Sequence, residues 1–380
     1  MMTSSSTEYQ YSIEKPLNRE PSPQHLLSSF ITKSEGYDRN HGPIPIIKAQ
    51  GHNISVDGAV RNPLSLSLAD LKSFEQHSVI CALQCAGNRR HAMRTLVKEV
   101  QGIDWFDGAV MNCKWTGPRL RDVLLKAVVE IPQTSWPQAH VEFSCHQNPS
   151  EDEEWFGSSI SLDKAMAEDA DVMVALDMNG EPLTAYHGYP ARIIAPGIAG
   201  VRSVKWLDSI KVQLEESSNH YQQRDYKILP PEIDTAEAAD DVWSKMPPLQ
   251  EMPINSAICL PTEGSTVKRD ENGLVQVRGY ALPGYKSGPI TAVEVSADDG
   301  VTWHDAELRF GGGDAEEKDD LKWAWCLWDA RVKCEEGLGQ RLLSRASDRG
   351  GNMQDQARSE WNLRGIAYNG YGEVNGLNIS

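Results

Sequence analysis

The residues with the clearest chemical potential are seven consecutive ones, Gln84-Cys85-Ala86-Gly87-Asn88-Arg89-Arg90. They place one cysteine beside two compact residues and two adjacent arginines. A cysteine thiolate is a soft metal ligand, and nearby guanidinium charges favour the thiolate form. The same guanidiniums offer planar pairs of donors to an oxyanion. The segment therefore indicates a metal beside an oxyanion, with a buried structural cysteine as the alternative.

The charge of the chain limits what its partners can be. The net charge is −17, from 37 lysines and arginines against 54 aspartates and glutamates. No basic domain is present to neutralise phosphates, which argues against a nucleic-acid partner. An anionic substrate would need a local basic pocket, and the alternative is scattered solvated charge. Candidate residues for such a pocket recur at Arg39, Arg89, Arg90, Arg94, Arg192, Arg202 and Lys205.

Cysteine usage and the chain ends bear on the compartment. The seven cysteines are odd in number, widely spaced and without a CxxC pair, so we expect reduced thiols. The polar start lacks a signal peptide or an arginine-rich transit peptide, and no apolar run is long enough to span a membrane. The end at Ser380 is not a peroxisomal signal of the Ser-Lys-Leu type. We therefore expect an intracellular protein, cytoplasmic by default, with mitochondria and peroxisomes left open.

The first two thirds of the chain have mixed α+β character. Its 380 residues suggest two or three domains. Hydrophobic periodicity and turn residues predict a strand, a capped helix start, two helices, a buried strand and a hairpin turn. These elements lie at 53–60, 67–72, 120–128, 162–170, 172–176 and Asn179-Gly180 respectively.

A change of composition predicts the boundary between two folded units. Five prolines bracket an acidic stretch at 229–253, and beyond it short alternating runs at 275–281, 291–297 and 322–328 predict an antiparallel sandwich of immunoglobulin-like size. Four tryptophans of this region are expected in the core or an interface, namely Trp303, Trp323, Trp325 and Trp328. The expected organisation is a flexible arm at 1–25, a catalytic domain at 26–230, a linker at 231–252 and a dimerisation domain at 253–380.

Segments spread along nearly the whole chain resemble the sulfite oxidase family of molybdenum enzymes, and most closely its haem-free, plant-type form. The resemblance implies a mixed α+β molybdopterin-binding domain followed by an all-β, immunoglobulin-like dimerisation domain, hence an α+β protein that forms a homodimer. The matching segments lie at 39–43, 83–90, 115–120, 178–180, 187–190, 196–200, 204–207, 224–226 and 361–365.

The resemblance also assigns residues to a site. It implies Cys85 as the one protein ligand of molybdenum, in a single molybdopterin cofactor per subunit. The implied cofactor contacts are Tyr37, Asp38, Arg39, Asn40, His41, Cys85, His187, Arg192, Ser203, Val204 and Lys205. The implied catalytic residues, which bind the anion and surround the metal, are Cys85, Tyr226, Arg39, Arg90, Trp105 and Arg364.

The function implied is oxidation of sulfite to sulfate by oxo transfer at the cysteine-ligated molybdenum. The absence of haem-domain and haem-attachment motifs and of a flavin region predicts no haem and no flavin, with oxygen or a cytochrome such as cytochrome c as electron acceptor. One alternative is a nitrate reductase-like or other molybdopterin oxidoreductase of the same fold. Another is a non-enzymatic immunoglobulin-like interaction protein that has lost the cofactor.

Two segments depart from the family pattern. Residues 145–148, followed by the acidic residues 151–154, replace a region where relatives place an acidic cofactor contact. Residues 371–374 replace the familiar ending after Arg364, which leaves open the local dimer contacts and the rim of the pocket.

Overall fold

The computed structural model describes residues 16–33, 36–311 and 321–380. Residues 1–15 of the predicted arm lie outside the described part. The stretch that follows is held against the first domain, because Arg19 and Asp38 exchange two backbone hydrogen bonds of 3.0 and 2.9 Å and form an ion pair. It continues into helix α1 (Pro23–Leu26), whose leucine is buried. None of the helices in these described ranges has the length and apolar character needed to cross a bilayer.

The first unit contains short helices and short strands in alternation. Its helices after α1 are α2 (Leu68–Ser73), α3 (Arg90–Leu96), α4 (Leu120–Ala127), α5 (Leu162–Met166) and α6 (His220–Gln223). Its strands are β1 (Asn53–Gly58), β2 (Leu64–Ser67), β3 (His77–Gln84), β4 (Val110–Gly117), β5 (His140–Cys145), β6 (Phe156–Ser161), β7 (Met173–Ala175), β8 (Asp177–Met178), β9 (Glu181–Pro182), β10 (Arg192–Ile194) and β11 (Ser209–Gln213).

Three sheets of this unit create its core and its central cavity. A mixed five-stranded sheet has the order β2-β1-β11-β5-β6, with β1 parallel to β11, and an antiparallel four-stranded sheet has the order β3-β4-β8-β9. The short pair β7-β10 is antiparallel. Helices α4 and α5 pack on the five-stranded sheet, and one apolar cluster joins them. Residues at the end of β3 and the start of β10, Leu83 and Arg192, line the same cavity.

Local sequence signals account for several of these elements. The side chain of Ser67 caps the first turn of α2, and Asp70 returns a hydrogen bond to the Ser67 backbone, a capping box. Asn179 and Gly180 have positive φ angles of 57° and 85°, which the tight turn between β8 and β9 requires. Both predictions are confirmed. The helix predicted at 162–170 is shorter, since Ala167 is extended and a separate 3₁₀ turn covers Glu168–Ala170.

The second unit is a sandwich of two β-sheets. Its strands are β12 (Asn255–Leu260), β13 (Thr266–Val267), β14 (Leu274–Leu282), β15 (Ile290–Ser296), β16 (His304–Asp305), β17 (Glu307–Arg309), β18 (Cys326–Lys333), β19 (Gly337–Asp348) and β20 (Gly372–Ile379). The sheets have the orders β12-β14-β18-β17 and β13-β20-β19-β15-β16, and one apolar cluster fills the space between them. Of the four tryptophans, Trp323, Trp325 and Trp328 are buried, as predicted.

The stretch between the two units is packed rather than extended. It contains helix α7 (Ala236–Asp240) and a 3₁₀ turn at Trp243–Lys245. Trp243 and Ala239 share an apolar cluster with Met93 of the first unit and Trp361 of the second. The linker therefore packs against both units and contributes to the interface between them.

Candidate active site

A cavity opens in the first unit where most of the predicted site residues meet. Its free space is about 820 Å³ including the opening to solvent. Eleven of the fifteen predicted residues line it, namely Tyr37, Arg39, Asn40, His41, Cys85, His187, Arg192, Ser203, Val204, Lys205 and Tyr226. The other four are Asp38, Arg90, Trp105 and Arg364, which the structure places around it.

Cys85 lies at the inner wall of the cavity, directly after β3. Its backbone N–H donates to the carbonyl of Ala109 at 2.9 Å, and the N–H of Gly87 donates to the sulfur at 3.4 Å. Cys81 differs, because it is fully buried opposite Cys113 and burial raises the pKa of its thiol. Cys85 and Cys145 both line the cavity, whereas Cys81 is part of the core.

Three side chains on one wall form a directed hydrogen-bonded chain. Arg39 Nη2 lies 2.9 Å from Nδ1 of His41, and Nε2 of His41 lies 2.8 Å from the Tyr226 hydroxyl oxygen. A guanidinium can only donate, so Nδ1 accepts and the ring proton is on Nε2. Burial, with the charges of Arg39 and Arg364, holds the pKa of His41 well below its ordinary value, which agrees with a neutral ring. The Tyr226 oxygen thus accepts from His41, and its own proton is available to the cavity.

Three more basic residues line the cavity, of which Arg192 is buried and His187 and Lys205 are half-buried. Arg192 donates to the carbonyls of His187 and Ser203 at 3.0 and 2.9 Å, and Lys205 Nζ contacts Asn40 Oδ1 and lies 3.2 Å from the Tyr186 carbonyl. Burial and the neighbouring Arg192 charge lower the pKa of Lys205 to about 7. Burial likewise lowers the pKa of His187 to about 3. Arg192 is the charged member of this set, Lys205 is partly charged and His187 is neutral, so an anionic ligand beside them would favour the charged form of Lys205.

Local backbone geometry positions these basic groups. His187 ends a 3₁₀ turn (Ala185–His187) that Thr184 caps, and Gly188 closes it with a φ of 101°. A Cβ at Gly188 would lie 3.0 Å from Lys205 Cβ and 3.1 Å from Arg192 Cβ, so glycine permits this close approach. Ser203 is fixed by the hydrogen bond that its hydroxyl accepts from Ala195 N–H at 3.1 Å.

Arg90, Trp105 and Arg364 form a second layer beside the cavity. Arg90 donates to the carbonyls of Arg364 at 2.9 Å and Ile103 at 2.7 Å. Arg364 Nη2 donates to Asp225 Oδ2 at 2.9 Å. Among the described residues, Trp105 Nε1 and Arg364 Nε are buried without a hydrogen-bond partner. Unpartnered buried donors cost free energy, and an anion between them would satisfy both.

The electrostatics link this layer to the cavity wall. Burial raises the pKa of Tyr226, while the charges of Arg39 and Arg90 oppose that effect. Burial lowers the pKa of Arg90, with the Arg364 and Arg39 charges acting in the same direction. Arg39 and Arg90 thus act on the tyrosine, and Arg39 and Arg364 act on Arg90. A dianion placed among them would relieve their repulsion.

Two predicted features occupy other positions. Asp38 is buried outside the cavity, where its carboxylate pairs with Arg19 at 2.5 Å. Arg89 is also turned away: its guanidinium donates to Asn255 and to the carbonyls of Gly370 and Tyr371 in the second unit. Of the two adjacent arginines, Arg90 is the one whose charge interacts with Cys85 and Tyr226.

Sequence reasoning missed several residues that shape the site. Asn18 accepts hydrogen bonds from Arg39 at 3.2 Å and from the Asn40 backbone at 3.0 Å, from a segment expected to be flexible. Asn148 lines the cavity and donates to the Pro43 carbonyl. It belongs to the divergent stretch 145–148, so that departure was the one sequence signal pointing to it. No signal pointed to Asn18.

Comparisons with known proteins agree with this arrangement. The family model described as "Oxidoreductase molybdopterin binding domain" matches residues 41–221, and the model described as "Mo-co oxidoreductase dimerisation domain" matches residues 246–376. The sulfite oxidase of Arabidopsis thaliana is 38% identical over 365 residues, which cover 93% of this chain and 90% of that protein. The chain belongs to the sulfite oxidase family.

Other members and relatives of the sulfite oxidase family differ in length. The mitochondrial sulfite oxidase of Homo sapiens is 40% identical over 368 residues, which cover 95% of this chain but 64% of that protein. The NADH nitrate reductase of Volvox carteri is 35% identical over 367 residues, and the match covers 94% of this chain and 41% of that protein. The chain thus spans about two thirds of the mammalian family member and under half of the nitrate reductase.

A solved structure shares the overall fold. The sulfane dehydrogenase SoxCD from Paracoccus pantotrophus superposes with a TM-score of 0.73 at 22% identity, covering 98% of this chain and 89% of the matched chain. The two-unit architecture of the sulfite oxidase family is thereby supported at the level of fold.

Proposed function

We propose that this protein oxidises sulfite to sulfate with a molybdenum-molybdopterin cofactor whose metal is bound by Cys85. The observation that carries the proposal is the position of Cys85, Tyr226 and Arg39 on the wall of one cavity, with the buried guanidiniums of Arg90 and Arg364 beside it. Three guanidiniums suit a small dianion, since each charge-assisted hydrogen bond is about twice as strong as a neutral one. The relatives named as sulfite oxidases support the same substrate.

The residues present fit the cofactor. Cys85 supplies a thiolate at the inner wall, and Arg192 and Lys205 supply desolvated positive charge at the other wall. A pterin with a phosphate needs both positive charge and hydrogen-bonding groups on a rigid scaffold. The proposed contacts are Tyr37, Arg39, Asn40, His41, Cys85, His187, Arg192, Ser203, Val204 and Lys205 from the cavity wall, with Asp38 acting through the Arg19 pair that anchors its segment.

The chain's own groups have separate tasks in this reaction. Sulfite plus water gives sulfate, two protons and two electrons, and the bound cofactor supplies the oxygen transfer and accepts the electrons. The anion is bound and oriented by Arg90, Arg364 and the Trp105 indole N–H. Two donors of this set, Arg364 Nε and Trp105 Nε1, are buried without a hydrogen-bond partner and can donate to the anion. Tyr226 directs its hydroxyl proton into the cavity, because its oxygen accepts from His41.

The shape of the site also limits water. Trp105 is 3% exposed and shares an apolar cluster with Cys85, Tyr37 and Met111. This apolar wall lowers the local dielectric constant, which strengthens the attraction between the guanidiniums and a dianion. Holding the anion in one orientation converts a bimolecular encounter into a positioned reaction.

The proposed organisation, electron acceptor and compartment complete this function. The proposed catalytic domain is 26–230, the linker 231–252 and the dimerisation domain 253–380, and the match to the dimerisation model supports a homodimer. Oxygen or a cytochrome such as cytochrome c is the proposed electron acceptor, without haem or flavin in this chain. The cytoplasm is the proposed compartment, although the mammalian relatives are named as mitochondrial.

Sulfite-dependent reduction of ferricyanide by protein with confirmed molybdenum content tests this function. An artificial acceptor removes dependence on the natural one. Saturable reduction by sulfite, with none by the Cys85→Ser variant, is expected. If protein with confirmed molybdenum content does not oxidise sulfite but reduces nitrate with a chemical electron donor, the proposal is overturned in favour of the nitrate reductase-like alternative.

A further inference from the structure

Arg89, in the segment that follows Cys85, forms hydrogen bonds across the interface between the two units. Its guanidinium is 2% exposed and donates to Asn255 Oδ1 at 2.6 Å, to the Gly370 carbonyl at 2.8 Å and to the Tyr371 carbonyl at 2.6 Å. All three acceptors belong to the second unit. The carbon Cζ also lies 4.9 Å from the centre of the Tyr368 ring.

The backbone of Arg89 is held in a strained conformation. Its φ is 65° and its ψ is 24°, a left-handed geometry that non-glycine residues rarely adopt. Its N–H donates to the Phe106 carbonyl at 2.7 Å. The strain falls between the metal-ligating position and the first residue of α3, Arg90. The backbone of this turn is thus bonded to the first unit, while the Arg89 guanidinium is bonded to the second.

Two neighbours of Arg89 in the same segment are tied to the second unit as well. Asn88 Nδ2 donates to the Tyr280 hydroxyl at 2.9 Å, and the Ala86 carbonyl accepts from Ala367 N–H at 2.8 Å. Of the four residues after Cys85, three therefore bond across the domain interface. The first unit supplies fewer side-chain contacts here, the main one being the ion pair of Arg89 with Asp107 at 3.2 Å.

We propose that Arg89 is a positioning residue through which the second unit holds the Cys85 segment in its metal-binding geometry. The second unit is then a structural part of the metal site in addition to its role in dimerisation. The proposal rests on the assignment of Cys85 as the metal ligand. Removing the Arg89 contacts should increase local opening of the Cys85 segment without unfolding the rest of the protein.

Alkylation of Cys85 in metal-free protein measures this loosening directly. The Arg89→Met variant, and Asn255→Leu on the other side of the interface, should each increase the rate at which iodoacetamide modifies Cys85 by about tenfold or more, followed by mass spectrometry. The double variant should react no faster than Arg89→Met alone, because both changes remove the same contact. The six other buried cysteines serve as internal references.

Val295→Ala is the matched control. Val295 is fully buried in β15 within the sandwich core and lies outside the interface cluster around Arg89. This variant loses stability in the second unit, yet it should leave the Cys85 rate unchanged. If Arg89→Met and Asn255→Leu modify Cys85 at the Val295→Ala rate, or if all seven cysteines accelerate equally, the proposal is overturned. Should Arg89→Met fail to fold, Asn255→Leu decides the question alone.

A second readout uses protein produced with its cofactor. Molybdenum per subunit after dialysis should fall about fivefold or more in both interface variants and stay at the wild-type level in Val295→Ala. The two readouts distinguish failure of the proposed function from failure of the proposed Arg89 role. If thiol modification behaves as expected but loaded wild-type protein does not oxidise sulfite, the proposed function fails and the role of Arg89 stands. If metal retention and thiol modification rates are both unchanged in the variants, the role of Arg89 is rejected, whatever the substrate.

Discussion

His41 Nε2 lies 2.8 Å from the Tyr226 hydroxyl oxygen, joining residues that are 185 positions apart in the chain. Because Arg39 can only donate to the other ring nitrogen, the direction of this hydrogen bond is fixed. His41 therefore sets where the hydroxyl proton of Tyr226 points. His41, which is a predicted cofactor contact, therefore also orients Tyr226, which is a predicted substrate-pocket residue.

Removing the Tyr226 hydroxyl should slow the reaction strongly. Tyr226→Phe deletes a donor aimed into the cavity, for which a loss of about 10²-fold in kcat/KM for sulfite is expected. His41→Leu should lower kcat by about tenfold, since the hydroxyl remains but loses its orientation. Ferricyanide assays corrected for molybdenum content measure both. A double variant markedly worse than Tyr226→Phe would contradict the coupling, because His41 is proposed to act through the tyrosine.

Asp225 should set the affinity for sulfite through Arg364. Although burial opposes it, the hydrogen bond with His220 and the Arg364 charge hold the pKa of Asp225 below its ordinary value, so the carboxylate is charged. Asp225→Asn weakens its 2.9 Å bond to Arg364 Nη2, and KM for sulfite should rise about five- to tenfold with little change in kcat.

Asp240→Asn provides the control for Asp225→Asn. Asp240 is an exposed acid paired with Arg224, which neighbours Asp225 in sequence. Both substitutions change net charge by the same amount, so long-range electrostatic effects cancel in the comparison. Equal KM values for the two variants would show that Asp225 does not position Arg364.

Much of the local structure was readable from the sequence, because its causes lie within a few residues. The capping box of Ser67 and Asp70 and the Asn179-Gly180 turn are examples, since each is closed by contacts between near neighbours. The predicted length of helix α5 was too great, because the helix ends before Ala167, whose ψ of 129° is extended. No residue type at this position signals that end. The parallel pairing of β1 with β11 has no local signature, as about 150 residues separate them.

The residues of the candidate site could be named from the sequence, but the directions of their side chains could not. The resemblance named fifteen residues, of which eleven line one cavity, and it chose Arg90 over Arg89, although the Cys85 segment itself gives no reason for that choice. That choice depends on acceptors such as Asn255, more than 160 positions away. Asp38 similarly turns to Arg19 rather than to the cavity. Side-chain direction is settled by such distant partners, whose positions a single sequence does not give.

Lys205 should be required for retaining the cofactor. Its pKa of about 7 in the absence of an anion reflects burial beside Arg192, and an anionic ligand would restore its full charge. Lys205→Met should therefore lower the molybdenum and pterin content of purified protein about tenfold or more. Lys211→Met is the matched control, since Lys211 is an exposed lysine on β11 of the same unit. Equal pterin fluorescence after denaturation of the two variants would remove Lys205 from the binding site.

Buried neutral histidines should make the metal-free protein less stable in mild acid. Burial lowers the pKa of His187 to about 3 and that of His41 well below its ordinary value, so only the unfolded chain takes up these protons near pH 6.5. Stability is therefore retained above pH 6.5 and lost below it, by about 2 kcal/mol per histidine between pH 7 and pH 5. His220 opposes this trend, because its hydrogen bond to Asp225 raises its pKa.

Urea unfolding across this pH range measures the effect. His187→Asn should flatten the decline by about 2 kcal/mol between pH 7 and pH 5, because one proton fewer is taken up on unfolding. His304→Asn, at an exposed position on β16, should leave the slope unchanged. A His187→Asn variant that declines in stability as steeply as the wild type would mean that His187 takes up its proton in the folded state as well.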